Sequence, residues 1–213
     1  DAYKMTLTEI KSIISQFDGI VIRSRFKIDS DFLKNAKKIK FIARVGSGLE
    51  NIDIHFLRKR GIKLISSPEG NSNAVGEHAL GLILSLFNKL NLANDSVKKK
   101  LWNREKFRGY EIENKTVGII GYGNTGKSLA KKLSGFNVRV LCNDIIEDVS
   151  DKYATQVSIS EIMKNCDIIS LHTNLNDSSF QLINKDFINN CKKPFFLINT
   201  SRGECLKTSH VVD

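Results

Sequence analysis

The stretch Lys115-Thr116-Val117-Gly118-Ile119-Ile120-Gly121-Tyr122-Gly123-Asn124-Thr125-Gly126 decides how this chain folds. Its first half is a near-continuous apolar run, the mark of a strand buried on both faces of a parallel sheet. Its second half matches G-x-G-x-x-G, and from Gly126 to Leu133 the residues carry a helical pattern. Such glycine patterns recur by chance, but a buried strand running in and a helix running out narrow the meaning. Gly121 allows the tight turn, Gly123 lets backbone approach a pyrophosphate, and Gly126 lets helix and strand pack closely. The pyrophosphate then rests on the helix N-terminus, where unpaired N–H groups and the helix dipole favour an anion.

The strand Val138–Cys142 follows, and Asp144 closes it. A carboxylate at that place accepts hydrogen bonds from the adenosine ribose hydroxyls and repels a 2′-phosphate. The next residues, Ile145, Ile146 and Glu147, include no arginine, so NAD is favoured over NADP. Helical stretches near Ile159 to Asn165 and Asp186 to Cys191 alternate with strands at Asp167 to Leu171 and Pro194 to Asn199. That alternation predicts an α/β protein with a doubly wound parallel sheet, a Rossmann domain. The turn Asn199-Thr200-Ser201-Arg202-Gly203 sits at a strand's carboxyl end, where open α/β sheets bind ligands. A guanidinium there can grip a carboxylate with two parallel hydrogen bonds. Position alone leaves Arg202 equally open as an ordinary exposed arginine.

Upstream, strands are expected at Gly19 to Ile22, Phe41 to Val45 and Ile62 to Ile65, with the loop Gly46-Ser47-Gly48 after the second. Helices are expected at Leu7 to Gln16, at Asp29 to Ala36 with Asp29 or Ser30 as N-cap, and at Asp53 to Lys59 with Gly61 closing it. One helix from about Ala74 to Lys99 would be roughly 38 Å long, more than one small domain requires. It reads as a connector between two lobes, residues 1–84 and 85–213, with the boundary inside it. Trp102 to Tyr110 reads as a polar and aromatic loop.

Composition excludes other classes. The 213 residues carry 33 Lys plus Arg against 23 Asp plus Glu, a net charge of +10, and only 2 prolines at 41% hydrophobic content, so wholesale disorder is excluded. The lysines are scattered, with Lys98-Lys99-Lys100 the one run of three, which reads as a solvated face rather than a nucleic-acid footprint. The apolar run from Ala79 to Leu84 is far short of the ~20 residues a membrane span needs. Neither nucleic acid nor membrane is expected as a partner. Cys142, Cys166, Cys191 and Cys205 form no C-x-x-C pair, so no metal site is expected. With no leader pattern read, reduced thiols in a cytoplasmic protein are the expectation.

These residues resemble the D-isomer-specific 2-hydroxyacid dehydrogenases, most closely the D-3-phosphoglycerate dehydrogenase branch. The resemblance runs through Ile22-Arg23-Ser24-Arg25, Arg44 to Asp53, Asn71-Ser72 with Glu77, Trp102 to Phe107, the glycine turn, His172-Thr173 and Asn199 to Gly203. It implies a flavodoxin-like substrate lobe lacking its opening strand and a Rossmann NAD lobe lacking its last strands. By the same resemblance Arg202 is the catalytic arginine. Gly121, Gly123, Asn124, Thr125 and Gly126 hold the pyrophosphate, Asp144 the ribose, Thr173 the adenosine side, and Thr200 and Ser201 the nicotinamide side. Ser47, with Gly46 and Gly48, meets cofactor and substrate carboxylate, and consecutive N–H groups in such a turn form an anion nest. Asn71 contacts ligand at the hinge, and Arg23 contacts a substrate phosphate, with a strand-end arginine facing water as its alternative.

The implied reaction is NAD-dependent oxidation of a D-2-hydroxy acid, 3-phosphoglycerate to 3-phosphohydroxypyruvate in serine biosynthesis. A glyoxylate, hydroxypyruvate or other 2-keto acid reductase is the enzymatic alternative, and an NAD-sensing co-repressor-like binding protein the non-enzymatic one. Two departures stand out. Asn174 replaces a proline after His172-Thr173, and the family's glutamate and acid–base histidine fall beyond Asp213. His55, His78, His172 and His210 do not fit that place and read as structural or solvated, so the 213 residues alone are expected to be inactive. The resemblance also implies a homodimer through the NAD lobe, using the long helix and the loop with Trp102, which otherwise packs on its own lobe.

Overall fold

The computed structural model describes residues 2–212. The chain divides into two compact units, Asp1–Asn71 and Ser72–Asp213.

In the first unit, strands β1 (Gly19–Ile22), β2 (Phe41–Arg44) and β3 (Lys63–Ser66) form a parallel sheet in that order. Ile20, Ile42 and Leu64 lie in register and turn to a core with Ile14, Leu33 and Leu57. Val21, Phe41 and Ile65 lie on the other face and are exposed. Helix α1 (Leu7–Ile13) starts in a capping box in which Thr6 and Glu9 satisfy each other's amides. Helix α2 (Ile54–Lys59) is capped by Asp53, whose carboxylate accepts from the Phe56 amide. The helix expected at 29–36 is instead a run of turns. Ile28 is held extended by a bridge to Ile52, and the Arg60 guanidinium donates to the carbonyls of Leu33 and Ala36. Asp29 still caps this segment, accepting from the amides of Asp31 and Phe32.

In the second unit, β4 (Thr116–Ile120), β5 (Arg139–Asn143), β6 (Thr155–Gln156), β7 (Ile168–Leu171) and β8 (Phe196–Asn199) form a parallel sheet. Its order is β6-β5-β4-β7-β8, so the topology reverses between β4 and β7. Helices α3 (Ser72–Phe87), α4 (Leu90–Lys98), α5 (Asn124–Leu133), α6 (Ile159–Asn165), α7 (Lys185–Asn190) and α8 (Ser209–Val212) complete the unit. One core joins Ala79, Ile83, Leu129 and Leu133 to Val117 and Ile119, and another joins Ile162 and Phe187 to Ile120, Leu141 and Ile169. Both faces are thus covered, which makes this a doubly wound Rossmann sheet. Among the described residues no helix is long and apolar enough to cross a membrane.

Two further expectations differ from the structure. The single helix from 74 to 99 breaks after Phe87, where Lys89 takes a left-handed conformation at φ 51°. The Phe87 carbonyl accepts from the Tyr110 amide, and the Gly109 backbone packs against Asn88, so the 102–110 loop fills the break. The boundary expected between 84 and 85 lies between Asn71 and Ser72, because Ala79, Ile83 and Phe87 are core residues of the second unit.

Helix α3 reaches α5 through Gly76, where an added Cβ would lie 2.4 Å from Ser128 Oγ and 3.0 Å from its carbonyl carbon. Gly76→Ala should lower the unfolding free energy by about 1–3 kcal/mol, because the helices must separate. Gly81→Ala, on the same helix with nothing within 4 Å of its new methyl, should raise it by about 0.5–1 kcal/mol. Urea unfolding of the two variants measures both signs.

Candidate functional site

Gly121 turns out of β4 at φ +91°, a region L side chains rarely enter. A Cβ there would lie 2.7 Å from the His172 carbonyl carbon and the Thr173 nitrogen. Its amide donates to the Asn143 carbonyl at 2.8 Å. A Cβ on Gly126 would lie 2.3 Å from the Gly121 carbonyl oxygen, so no side chain fits at either end of the turn. Gly123 differs: it is exposed, and a Cβ there meets nothing within 4 Å. It caps α5 without a side-chain acceptor, so the first amides of the helix, Asn124 and Thr125 among them, face this gap uncapped. The result is an open, uncapped helix start, the positive end of a helix dipole, accessible to an anion.

Asp144 follows β5 and is tied to the turn it faces. One carboxylate oxygen accepts from the Tyr122 amide at 2.6 Å, the other from the Ile146 amide at 3.0 Å. A carboxylate offers about four acceptor positions, so two remain open to further hydrogen-bond donors. Sequence reading missed the role of Tyr122. Its ring is buried and its hydroxyl donates to Asp151 at 2.9 Å, so burial and the adjacent acid push the phenol well above its ordinary range. Burial pushes the Asp151 carboxyl up, but the amides of Tyr153 and Ala154 and the Tyr122 hydroxyl outweigh it and hold the group below its usual range. An aromatic inside a glycine turn was the available signal.

The turn after β8 is stapled by its first residue. Asn199 accepts from the Ser201 amide at 2.9 Å and donates to the Arg202 carbonyl at 2.8 Å. Arg202 is half-buried and donates to the Ser201 carbonyl at 2.9 Å. The Thr200 hydroxyl donates to the Leu171 carbonyl at 3.1 Å, which ties the turn to β7. Ser201 Oγ is buried with no hydrogen-bond partner among the described residues. Such an atom is costly unless a ligand supplies the missing partner. Thr173, at the end of β7, has its hydroxyl 3.7 Å from Cys205 Sγ.

His172 is buried with both ring nitrogens in use: Nε2 lies 2.9 Å from Ser170 Oγ and Nδ1 lies 3.3 Å from Thr200 Oγ1. Burial lowers its pKa to about 4. His210 Nδ1 accepts from the Lys185 amide, and His55 and His78 are exposed on helices. The second unit thus brings Gly121 to Gly126, Asp144, Thr173 and Thr200 to Arg202 to the carboxyl ends of β4, β5, β7 and β8.

In the first unit, Arg23, the Gly46 to Gly48 loop and Asn71 follow β1, β2 and β3 at their carboxyl ends. Gly46 sits at φ +130°. Arg44 donates to the carbonyls of Val45 and Gly48, and the Ser67 amide donates to the Gly46 carbonyl. Arg23 and Asn71 are exposed, Ser47 half-buried.

The family model described as "D-isomer specific 2-hydroxyacid dehydrogenase, NAD binding domain" matches residues 80–213. Hydroxypyruvate reductase of Thermotoga maritima is 34% identical over 195 residues, 92% of this chain and 64% of that protein. D-3-phosphoglycerate dehydrogenase of Archaeoglobus fulgidus is 33% identical over 204 residues, 93% of this chain and 38% of that protein. The structure of D-lactate dehydrogenase from Aquifex aeolicus complexed with NAD and lactic acid superposes with a TM-score of 0.85 at 29% identity. It covers 98% of this chain, which covers 62% of it. The chain thus spans less than two thirds of the length of each of these relatives.

Gly123→Val should fold like the wild type, since its side chain enters open space, yet raise the NAD dissociation constant at least about tenfold by filling the anion seat. Calorimetric titration checks it. His172 gives a second expectation. Its folded pKa of about 4 lies below its ordinary 6.5, so between those values the unfolded chain binds more protons. Its contribution to stability is complete above pH 6.5 and is lost as pH falls towards 4, by up to about 1.4 kcal/mol per pH unit. Urea unfolding across that window should show this slope, and His172→Asn should flatten it.

Proposed function

The chain belongs to the D-isomer-specific 2-hydroxyacid dehydrogenase family, with NAD as its cofactor, and on that premise we propose that the whole protein oxidises 3-phosphoglycerate to 3-phosphohydroxypyruvate. The observation that carries the reading is the stapled turn after β8. It holds Arg202 and the unpartnered Ser201 hydroxyl at the carboxyl edge of the same sheet as the glycine turn. When bound, NAD supplies the hydride acceptor for carbon 2 of the substrate. Arg202 grips the substrate carboxylate with two parallel hydrogen bonds and stabilises charge on the adjacent oxygen. Asp144 accepts from the ribose hydroxyls, and Asn124 and Thr125 receive the pyrophosphate at the start of α5. Thr200 and Ser201 contact the nicotinamide side, and Thr173 the adenosine side.

In the first unit, Ser47 with Gly46 and Gly48 receives the carboxylate, helped by the engagement of the neighbouring carbonyls by Arg44 and Ser67. Asn71 adds a polar contact, and Arg23, exposed at the end of β1, takes the phosphate. The hydroxyl proton needs a base. His172 is engaged at both nitrogens and His210 accepts a backbone amide, so neither is that base. We therefore expect the 213 residues alone to turn over little or nothing.

The reaction would feed serine synthesis in the cytoplasm. The protein would pair through the α4 face, where Leu90, Val97 and Leu101 are exposed and Trp102 is 83% exposed. A hydroxypyruvate reductase is the second reading, favoured by the Thermotoga relative at 34% identity.

The test is turnover by the full-length protein. Arg202→Lys, which loses the planar fork, should lower kcat/KM at least about a hundredfold. Arg23→Ala should raise KM for 3-phosphoglycerate about tenfold or more, as loss of a charged hydrogen bond costs, and barely alter KM for hydroxypyruvate. Wild-type kcat/KM in Arg202→Lys would remove the turn from the mechanism. Hydroxypyruvate reduction with no activity on 3-phosphoglycerate would select the second reading.

A further inference from the structure

Three side chains and a carbonyl at the ends of β7 and β8 form one hydrogen-bond chain, and its direction is fixed by chemistry. The Leu171 carbonyl can only accept, so the single Thr200 hydroxyl proton, 3.1 Å away across the oxygens, goes to it. The Thr200 oxygen can then meet His172 Nδ1, at 3.3 Å, only as an acceptor. Nδ1 therefore carries the ring proton. Nε2 is left bare and accepts the proton of Ser170, 2.9 Å away and fully buried. The opposite tautomer would leave the Ser170 proton with no acceptor among the described residues and would set two acceptors against the one Thr200 proton.

We infer that His172, held as the neutral Nδ1–H tautomer between Ser170 and Thr200, is a positioning residue that sets where Thr200, Ser201 and Arg202 meet cofactor and substrate. The inference rests on the assignment of that turn to NAD and the hydroxy acid made above. Asn199 fixes the inside of the turn, closing it from Ser201 to Arg202. The Thr200 amide and hydroxyl tie the turn to the Leu171 carbonyl, and the His172–Thr200 contact adds a side-chain tie from the residue after β7, which orients the Thr200 hydroxyl. Gly121 lies so close to His172 that no Cβ fits between them, so the imidazole's backbone is fixed by the phosphate seat itself. Burial lowers the ring's pKa to about 4 and so favours the uncharged form, in which the relay keeps its direction through the neutral range.

The direction makes the test specific. In the full-length protein, His172→Asn keeps an N–H near the Nδ1 position, and His172→Gln reaches instead to the Nε2 position. Each loses one of two buried bonds, so a merely structural role would weaken both alike. The inference expects the NAD dissociation constant to stay within about threefold in His172→Asn and to rise about tenfold in His172→Gln, the scale of one buried hydrogen bond. Thermal midpoints of both variants, measured alongside, report the shared structural loss. Nitrogen-15 spectra of the wild-type imidazole decide independently of either variant folding: an Nδ1–H pattern supports the inference and an Nε2–H pattern overturns it. Equal weakening in the two variants overturns it as well. A wild type that binds no NAD would instead defeat the underlying assignment of the glycine turn.

Discussion

Two backbone segments approach so closely at one point that the rest of the second unit is arranged around it. The Gly121 carbonyl oxygen lies 2.3 Å from where a Cβ of Gly126 would stand. Only a pair of glycines allows helix α5 to start directly against the end of β4. That closeness seats α5 on the sheet, sends Leu129 and Leu133 into the core, and leaves the uncapped helix start pointing at the gap beside Gly123. Packing and the open helix start thus draw on the same missing side chains.

Around this point the remaining site residues are supplied by geometry rather than by local sequence. Parallel strands all end on one edge, so the residues following β4, β5, β7 and β8 gather there although they are far apart along the chain. Short polar side chains then lock the turns: Asn199 staples the turn of Arg202, and Asp144 holds the turn of Tyr122. The first unit repeats the logic, with Arg44 folding its own loop back through the Val45 and Gly48 carbonyls.

The sheet of the second unit was legible because buried parallel strands are continuous apolar runs, and Thr116–Ile120 and Ile168–Leu171 stand where such runs occur. Asp144 was legible because its distance from the glycine turn is dictated by one helix and one strand. The break at Lys89 was not. Lysine carries no preference for a left-handed conformation, and what stabilises it is Gly109 and Tyr110 arriving from twenty residues away. The turns at 29–36 were hidden for a like reason, since Arg60, distant in sequence, captures their carbonyls. Tyr122 stood out only as an aromatic inside a glycine turn; its partner Asp151, and the pairing of His172 with Thr200, join segments far apart along the chain that no local pattern announces.

In the proposed site, the bond from the Tyr122 amide to Asp144 joins two recognition tasks that are usually considered separately. The acid proposed to meet the ribose also holds the middle of the turn proposed to seat the phosphates. Trading it for a small neutral residue to admit a bulkier, doubly charged sugar would release that amide and slacken the seat at the same time. On the proposed assignment, sugar preference and stiffness of the phosphate seat are coupled, and a swap of cofactor would require a replacement tether for Tyr122 as well as a new charge.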